Sequence, residues 1–348
     1  MNVPKTQRAL VVYDFSKGPV LETNFPVQEP GHGQILVNIK YSGVCHSDVE
    51  LVGGLLPVKF NLPTIGGHEA VGIVAKIGPN VTGINVGDKV GIMMTVGTCQ
   101  NCEYCKTASE FFCEDIKFAA VATHGTFQEY CVISALHAHK LPDGIDLAKA
   151  APLHCAGVTT YRALKTSQLK AGEFVVITGA AGGLGSFALQ FARAMGLRPI
   201  AIDLGQEKSQ HCLNLGAEMF IDASDPEIDQ KIIKYTNGGA HGAINIANST
   251  KAIENMFNYV RKSGTIVLVG LPRDPFLQVN VKLIVAKGIN IKGSVLGNRK
   301  DMDEVIEFFS RGVINVPIKL MGLSDVPQIL EALHQHQVTG RVVIDPSK

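Results

Sequence analysis

A chain of 348 residues with 46% apolar side chains and 36 glycines is long enough for two domains and a large buried core, and its composition is that of a soluble α/β protein. A formal net charge of +1 offers no electrostatic case for a nucleic-acid or membrane partner, and no apolar run approaches the ~18–20 residues of a transmembrane helix. Eight cysteines, four of them crowded between Cys99 and Cys113, point to metal rather than a disulfide framework, and so to a reducing, cytoplasmic compartment.

Met1 to Leu10 lacks the apolar core of a secretory leader and is not Arg/Ser-rich like a transit peptide. Residues 8–40 alternate short apolar stretches, Ala9-Leu10-Val11-Val12 and Ile35-Leu36-Val37-Asn38-Ile39, with turn signals such as Gly31-His32-Gly33, and read as short antiparallel strands. Next comes Val44-Cys45-His46-Ser47-Asp48, which sets a thiol, an imidazole, a hydroxyl and a carboxylate side by side. These letters alone suit a polar turn between strands, but a metal-assisted redox site uses all four groups. The stretch is expected as a loop opening a short helix, with Ser47 or Asp48 as its cap. Gly66-Gly67-His68-Glu69-Ala70 follows, its small residues allowing a tight backbone. Val71–Ile77 and Asp88–Met93 are again strand-like, joined by the turn-rich Gly78–Gly87.

Cys99-x2-Cys102-x2-Cys105-x7-Cys113 is the most specific pattern in the chain. Four thiolates satisfy Zn²⁺ tetrahedrally with no open position, which makes a structural site. Four unligated thiols would be a reactive liability. An iron–sulfur reading lacks the proline that often follows the last cysteine, since Glu114 stands there. A zinc-stabilised nucleic-acid module would want a basic surround, but Glu103, Glu110, Glu114 and Asp115 interrupt the lobe.

After Leu153-His154-Cys155-Ala156-Gly157 the pattern changes to strand–helix alternation. Val158–Lys165, Phe187–Met195 and Ala252–Val260 look helical. Phe174–Thr178, Arg198–Asp203, Met219–Asp222, Ala243–Ala247, Thr265–Val269 and Ile289–Gly293 read as six strands, four of them the apolar runs of a buried parallel sheet. This is a doubly wound nucleotide-binding pattern. The first strand leads into Gly179-Ala180-Ala181-Gly182-Gly183-Leu184-Gly185, where glycines permit the close approach of a pyrophosphate to a helix N-terminus. Asp203 closes the second strand, where a carboxylate binds the adenosine ribose 2′-OH and repels a 2′-phosphate, favouring NAD; the alternative is an ordinary turn residue. Met302–Arg311 and Val326–His336 read as helices, and Gly340–Ile344 as a closing strand.

Taken together, these motifs, with Gly340-Arg341, resemble the zinc-containing medium-chain alcohol dehydrogenases, in particular the short tetrameric fungal and bacterial branch, over essentially the whole chain. The resemblance implies a GroES-like, mainly antiparallel β catalytic domain (1–156 and 296–348, with a structural-zinc lobe at about 95–116), a Rossmann NAD-binding domain (157–295) and a cleft between them. It implies two zinc ions per chain. Cys45, His68 and Cys155 would bind the catalytic ion, and Cys99, Cys102, Cys105 and Cys113 the structural one. Glu69 would lie near the catalytic ion and Asp48 would orient His68. Cofactor contacts would come from His46 and Arg341 on the pyrophosphate, and from Gly179, Gly182, Gly183, Leu184 and Gly185 in the turn. Asp203 and Lys208 would meet the ribose, with Thr159, Val269 and Leu271 nearer the nicotinamide. Cys131, Cys212, His124, His137, His139, His154, His211 and His241 receive no role and are expected to be ordinary core or surface residues.

The expected chemistry is hydride exchange between an alcohol, aldehyde or ketone and NAD, with zinc acidifying the alcohol or polarising the carbonyl. Ser47 would pass the alcohol proton on; many relatives have a histidine three residues later, and here that place holds Glu50, so Glu50 or water must finish the relay. Ethanol-specialised relatives narrow the pocket with two tryptophans. Their places fall at Leu56 and Met94 in a chain with no tryptophan, with Leu271 as a third wall, so a wide apolar pocket for bulky or secondary alcohols and ketones is expected over an ordinary ethanol site. Polyol, cinnamyl-alcohol and glutathione-dependent formaldehyde dehydrogenases remain open. A zinc-free quinone reductase or a non-catalytic NAD-binding relative is disfavoured by the joint presence of Cys45, His68, Glu69 and Cys155. A homotetramer is implied, with Ile289–Ser294 as the exposed sheet edge that seeks a partner.

Overall fold

The computed structural model describes residues 2–315, 317–335 and 337–348. Met1, where the reading of the N-terminus began, and His336, where the last expected helix ended, lie outside them. The chain divides into two compact units. One runs from the N-terminal segment through Val158 and resumes at Asn298–Lys348; the other is Thr159–Gly297.

The first unit is organised around Gln34–Val44, an eleven-residue strand rich in buried Ile, Leu and Val. It pairs antiparallel with Ala70–Ile77, Tyr130–Ser134 and Arg341–Asp345. Lys89–Ile92 and Ala138–Lys140 extend the sheet on one side, and Ile318–Gly322, parallel to Arg341–Asp345, on the other. A smaller sheet sets Thr6–Val12 between Val20–Pro26 and Thr64–Ile65. Its apolar face joins the strand ends Val44, Val342 and Ile344 and the Val326–His334 helix in one core. The two ends of the chain thus complete one hydrophobic unit.

The second unit is a six-stranded parallel sheet. Its order is Met219–Asp222, Arg198–Asp203, Phe174–Thr178, Ala240–Asn245, Val260–Leu268 and Asn290–Gly293. The order reverses beside the first strand in sequence, the switch point at which doubly wound sheets bind nucleotides. The mixed α/β architecture is the one the sequence implied. Its fourth strand begins three residues earlier than expected and ends at Asn245 rather than Ala247, because Ala240-His241-Gly242, which has little strand propensity, is held by pairing to Val260 and Thr265. The fifth starts at Val260, directly after the Thr250–Tyr259 helix, rather than at Thr265.

Among the described residues, no helix is long and apolar enough to cross a membrane.

Candidate active site

The Gln34–Val44 strand ends one residue before Cys45, and the helix His46–Val52 starts one residue after it. Cys45 itself, in extended geometry, is the N-cap. This corrects the expected caps Ser47 and Asp48. Asp48 stands at the third helical position, and its Oδ2 accepts the Cys45 backbone N–H at 2.8 Å. A carboxylate in the first turn also suits the positive end of the helix. Strand and helix together fix the Cys45 thiol, which is 3% exposed.

The other oxygen of Asp48 reaches across to the Gly66–Glu69 turn. His68 Nδ1–H donates to Asp48 Oδ1 at 2.8 Å, and both side chains are fully buried. That bond fixes the tautomer and leaves Nε2 directed at Cys155 Sγ, 3.2 Å away. Cys155 Sγ stands 3.9 Å from Cys45 Sγ. The three ligand atoms of Cys45, His68 and Cys155 lie within 4.8 Å of one another. Gly67 takes φ +88° in this turn, and a side chain there would meet Thr126 and Phe127.

The electrostatics distinguish the two thiols. Cys45 is held well below the usual thiol range, first because Cys155 donates to it and then, against the cost of burial, because of His68 and Arg341. Cys155 is pushed well above that range by the same hydrogen bond and by burial. Burial alone would lower the His68 imidazole, but the charge and hydrogen bond of Asp48, with help from Cys45, lift it to about 10. Two sulfurs and one nitrogen, buried, converging and oriented from behind by a carboxylate, suit a three-ligand zinc site that keeps a fourth position for substrate.

Glu69 and Arg341 form a buried ion pair, the carboxylate fully buried and the guanidinium 4% exposed. Space for the carboxylate comes from Gly43, where a Cβ would stand 2.5 Å from Glu69 Oε1. The sequence reading placed these two residues near the ion and the pyrophosphate but did not pair them. They lie far apart in the sequence, and no local pattern signals the contact.

In the lobe, the sulfurs of Cys99, Cys102, Cys105 and Cys113 also lie within 4.8 Å of one another. The backbone N–H groups of Asn101 and Cys102 donate to Cys99 Sγ and lower that thiol to about 7, while burial and the neighbouring thiols push Cys105 up to about 12. Converging sulfurs with backbone N–H donors to one of them fit a closed four-thiolate zinc site.

In the second unit the Gly179–Gly185 turn joins the Phe174–Thr178 strand to the Gly183–Ala194 helix. Gly179 has φ +69°, and Gly185 packs so closely that a Cβ would stand 2.3 Å from Gly179 O. Gly182 is the N-cap and brings no capping side chain, so the first-turn N–H groups next to Gly183 and Leu184 are left for an anion. Asp203 Oδ2 accepts the Ala181 N–H at 2.9 Å, and its Oδ1 accepts from Lys208 Nζ at 2.8 Å. This arrangement fits the diphosphate and ribose of a dinucleotide. Thr159 is buried with no hydrogen-bond partner for its hydroxyl, Val269 is half-buried, and Leu271 is 72% exposed. His46 and Arg341, the other expected cofactor contacts, belong to the first unit. Ser47 and Glu50 are half-buried on the His46–Val52 helix, and Ser47 Oγ lies 3.9 Å from Cys45 Sγ. Leu56 and Met94 are brought together against one cluster built on Leu51, Ala120 and Val121, with Phe60 and Phe118 beside them.

Residues 31–143 match the family model described as the alcohol dehydrogenase GroES-like domain, and residues 183–311 the one described as zinc-binding dehydrogenase. The chain is 46% identical over 345 residues to alcohol dehydrogenase 2 of Caenorhabditis elegans, covering 99% of this chain and 98% of that protein. Among solved structures it is similar to an alcohol dehydrogenase from the archaeon Aeropyrum pernix, with a TM-score of 0.89, 28% identity and coverage of 97% and 100%. It is also similar to an acetophenone reductase from Geotrichum candidum in complex with NAD, with a TM-score of 0.86, 25% identity and coverage of 99% and 98%.

Proposed function

The chain belongs to the zinc-containing medium-chain alcohol dehydrogenases, and from that premise we propose an enzyme that exchanges hydride between NAD and a bulky or secondary alcohol, or the matching aldehyde or ketone. Alcohol dehydrogenase activity dependent on zinc and NAD is the family's; the substrate range and the roles of individual residues are our reading. The observation that carries the reading is the buried trio Cys45, His68 and Cys155, with Asp48 behind the imidazole. Cys45, His68 and Cys155 would hold one zinc, whose Lewis acidity favours the alkoxide form of an alcohol and polarises a carbonyl. Cys99, Cys102, Cys105 and Cys113 would hold a second, structural ion. Asp48 keeps the imidazole in the tautomer that presents Nε2. Glu69 and Arg341 set a neutralised pair of charges beside the site. Ser47 takes the alcohol proton, and Glu50, on the same helix, carries it towards water. Asp203 and Lys208 hold the ribose, the Gly179–Gly185 turn and His46 the diphosphate, and Thr159, Val269 and Leu271 the nicotinamide end. We place the protein in the cytoplasm, as an assembly of four chains.

Bulky substrates are supported by Leu56 and Met94, which share one apolar cluster in a chain without tryptophan. A flexible thioether and a leucine leave more room than two indoles, and each methylene that finds contact contributes ~1–3 kcal/mol to discrimination. The relative that reduces acetophenone agrees with this reading. The test compares kcat/KM for ethanol with that for a secondary or aryl alcohol, before and after Leu56→Trp and Met94→Trp. Preference for the bulky substrate, reversed by the tryptophans, is expected. Preference for ethanol in the unmodified enzyme, unmoved by either change, would overturn the wide pocket.

A further inference from the structure

The four-cysteine lobe and the Cys45–His68–Cys155 trio belong to the same unit, and one helix of that unit reaches both. It is Arg299–Ser310, whose N-cap is Asn298.

At its N-terminus this helix meets the lobe. Asn298 Oδ1 accepts the Asp301 N–H at 2.8 Å, and Asp301 Oδ2 accepts the Asn298 N–H at 3.0 Å, so the first turn is closed by its own side chains. The Asn298 amide still has its Nδ2, which donates to Ala108 O at 2.9 Å, in the stretch between Cys105 and Cys113. The next residue, Arg299, donates from Nη2 to Glu110 Oε1. Glu110 belongs to the lobe, and its side chain is 8% exposed. A carboxylate so far out of water depends on its counter-charge. One capping amide and one ion pair thus fasten the lobe to the helix.

Further along, the same helix packs on the turn that carries Cys155. Met302 and Val305 are fully buried, and the helix contacts the Ala151–His154 turn. Gly157, just beyond Cys155, approaches so closely that a Cβ there would stand 3.2 Å from Leu153 and 3.6 Å from Val305. Asn298 and Val305 are about two helical turns apart, a span over which a helix moves as one piece. A second row of contacts runs the same way. Thr98, beside Cys99, has its Oγ1 3.3 Å from His137 Nε2. The ring of His139 stands 6.2 Å from that of His154, the residue before Cys155. All three imidazoles are buried.

We propose that Glu110, Arg299 and Asn298 are positioning residues for Cys155, coupling the four-cysteine lobe to the metal trio through the Arg299–Ser310 helix. The proposal rests on the two-zinc reading above. A lobe that loses its grip on the helix lets the turn at Cys155 shift, which alters how the trio holds its ion without unfolding the unit.

The experiment uses enzyme with zinc in the lobe and cobalt exchanged into the trio, because thiolate-bound cobalt absorbs visible light in a way that follows ligand geometry. Glu110→Gln leaves Arg299, which is partly exposed, to water. Asn298→Ser keeps a capping hydroxyl but loses the Nδ2 donor. Each is expected to shift the cobalt spectrum and to speed cobalt loss to a chelator by ~10-fold, with the lobe's zinc retained. Arg299→Lys, which keeps the charge, should stay near the unmodified spectrum. Because Glu110 and Arg299 act together, Glu110→Gln combined with Arg299→Gln should be no worse than Glu110→Gln alone. A merely structural tie would lower the melting temperature and leave the spectrum alone. An unchanged spectrum and rate in both Glu110→Gln and Asn298→Ser, or loss of the lobe's zinc with the trio unaltered, would overturn the coupling and leave the two-zinc reading in place. Unmodified enzyme with no thiolate–cobalt band would sink both.

Discussion

Asp48 serves two donors at once: one oxygen takes the Cys45 backbone N–H and the other the His68 ring N–H. Asparagine has a single carbonyl oxygen and would set an amide against one of those donors. Asp48→Asn should keep the fold and lower zinc affinity at the trio by ~10–100-fold, with turnover falling alongside. Chelator competition measures this, and an unchanged rate of metal loss would refute the orienting role. Asp203 is likewise shared, between the Ala181 N–H and Lys208. Asp203→Asn removes the charge that opposes a 2′-phosphate and frees Lys208 to meet one, so the NADP/NAD ratio of kcat/KM should rise by roughly tenfold or more. Higher kcat/KM with NADPH than with NADH in the unmodified enzyme would falsify the NAD assignment. The resemblance set Asp48 behind His68 and Asp203 beside Lys208, but the residues alone signal neither the Asp48 bond to the Cys45 N–H nor the Asp203 bond to the Ala181 N–H, and Arg341 gives no hint of Glu69. What was legible was the type and spacing of residues, because thiols three apart and a glycine-rich turn have few other uses.

The elements differ in how well local pattern announced them. The buried parallel strands Phe174–Thr178 and Arg198–Asp203 are apolar runs and stand where expected. Ala240-His241-Gly242 does not look like a strand and becomes one through its neighbours. The cysteine lobe is the opposite case: its spacing is plain, but its secondary structure is slight. Between the short strands Thr95–Gly97 and Lys117–Phe118 it holds a four-residue helix and one 3₁₀ turn. So little hydrogen-bonded structure offers the segment few internal ties, and a metal ion held by its four thiols would contribute to its folding. Cys102→Ser is therefore expected to lose one zinc per chain and several degrees of melting temperature, by roughly the few kcal/mol that a structural feature of this kind supplies. Cys155→Ser should also lose one zinc but keep the melting temperature and abolish turnover. Metal analysis beside thermal melts separates them, and two variants with the same melting temperature would count against a structural role for the lobe's ion.

At the scale of the molecule, the second unit ends in an open edge. Asn290–Gly293 is the last strand of its sheet; Ile291 within it is 44% exposed, and Phe276, Val281 and Val285, which precede it in the sequence, are 80%, 67% and 75% exposed. Unpaired strand edges and apolar side chains in water favour association. Light scattering should give the mass of four chains, and a monomer mass would dismiss the assembly. The first unit has the contrary property, being sealed by its own last residues. Arg341–Asp345 pairs with the Gln34–Val44 strand, and Arg8 donates to Lys348 O across 340 positions of sequence. A ribosome delivers these partners far apart in time. The second unit leaves the exit tunnel whole and can fold as it emerges, whereas the first waits with Glu69 lacking its cation and an apolar strand unpaired until Arg341–Asp345 follows. The first unit thus stays unfinished while the whole of the second is made, and chaperone dependence during translation should be concentrated there.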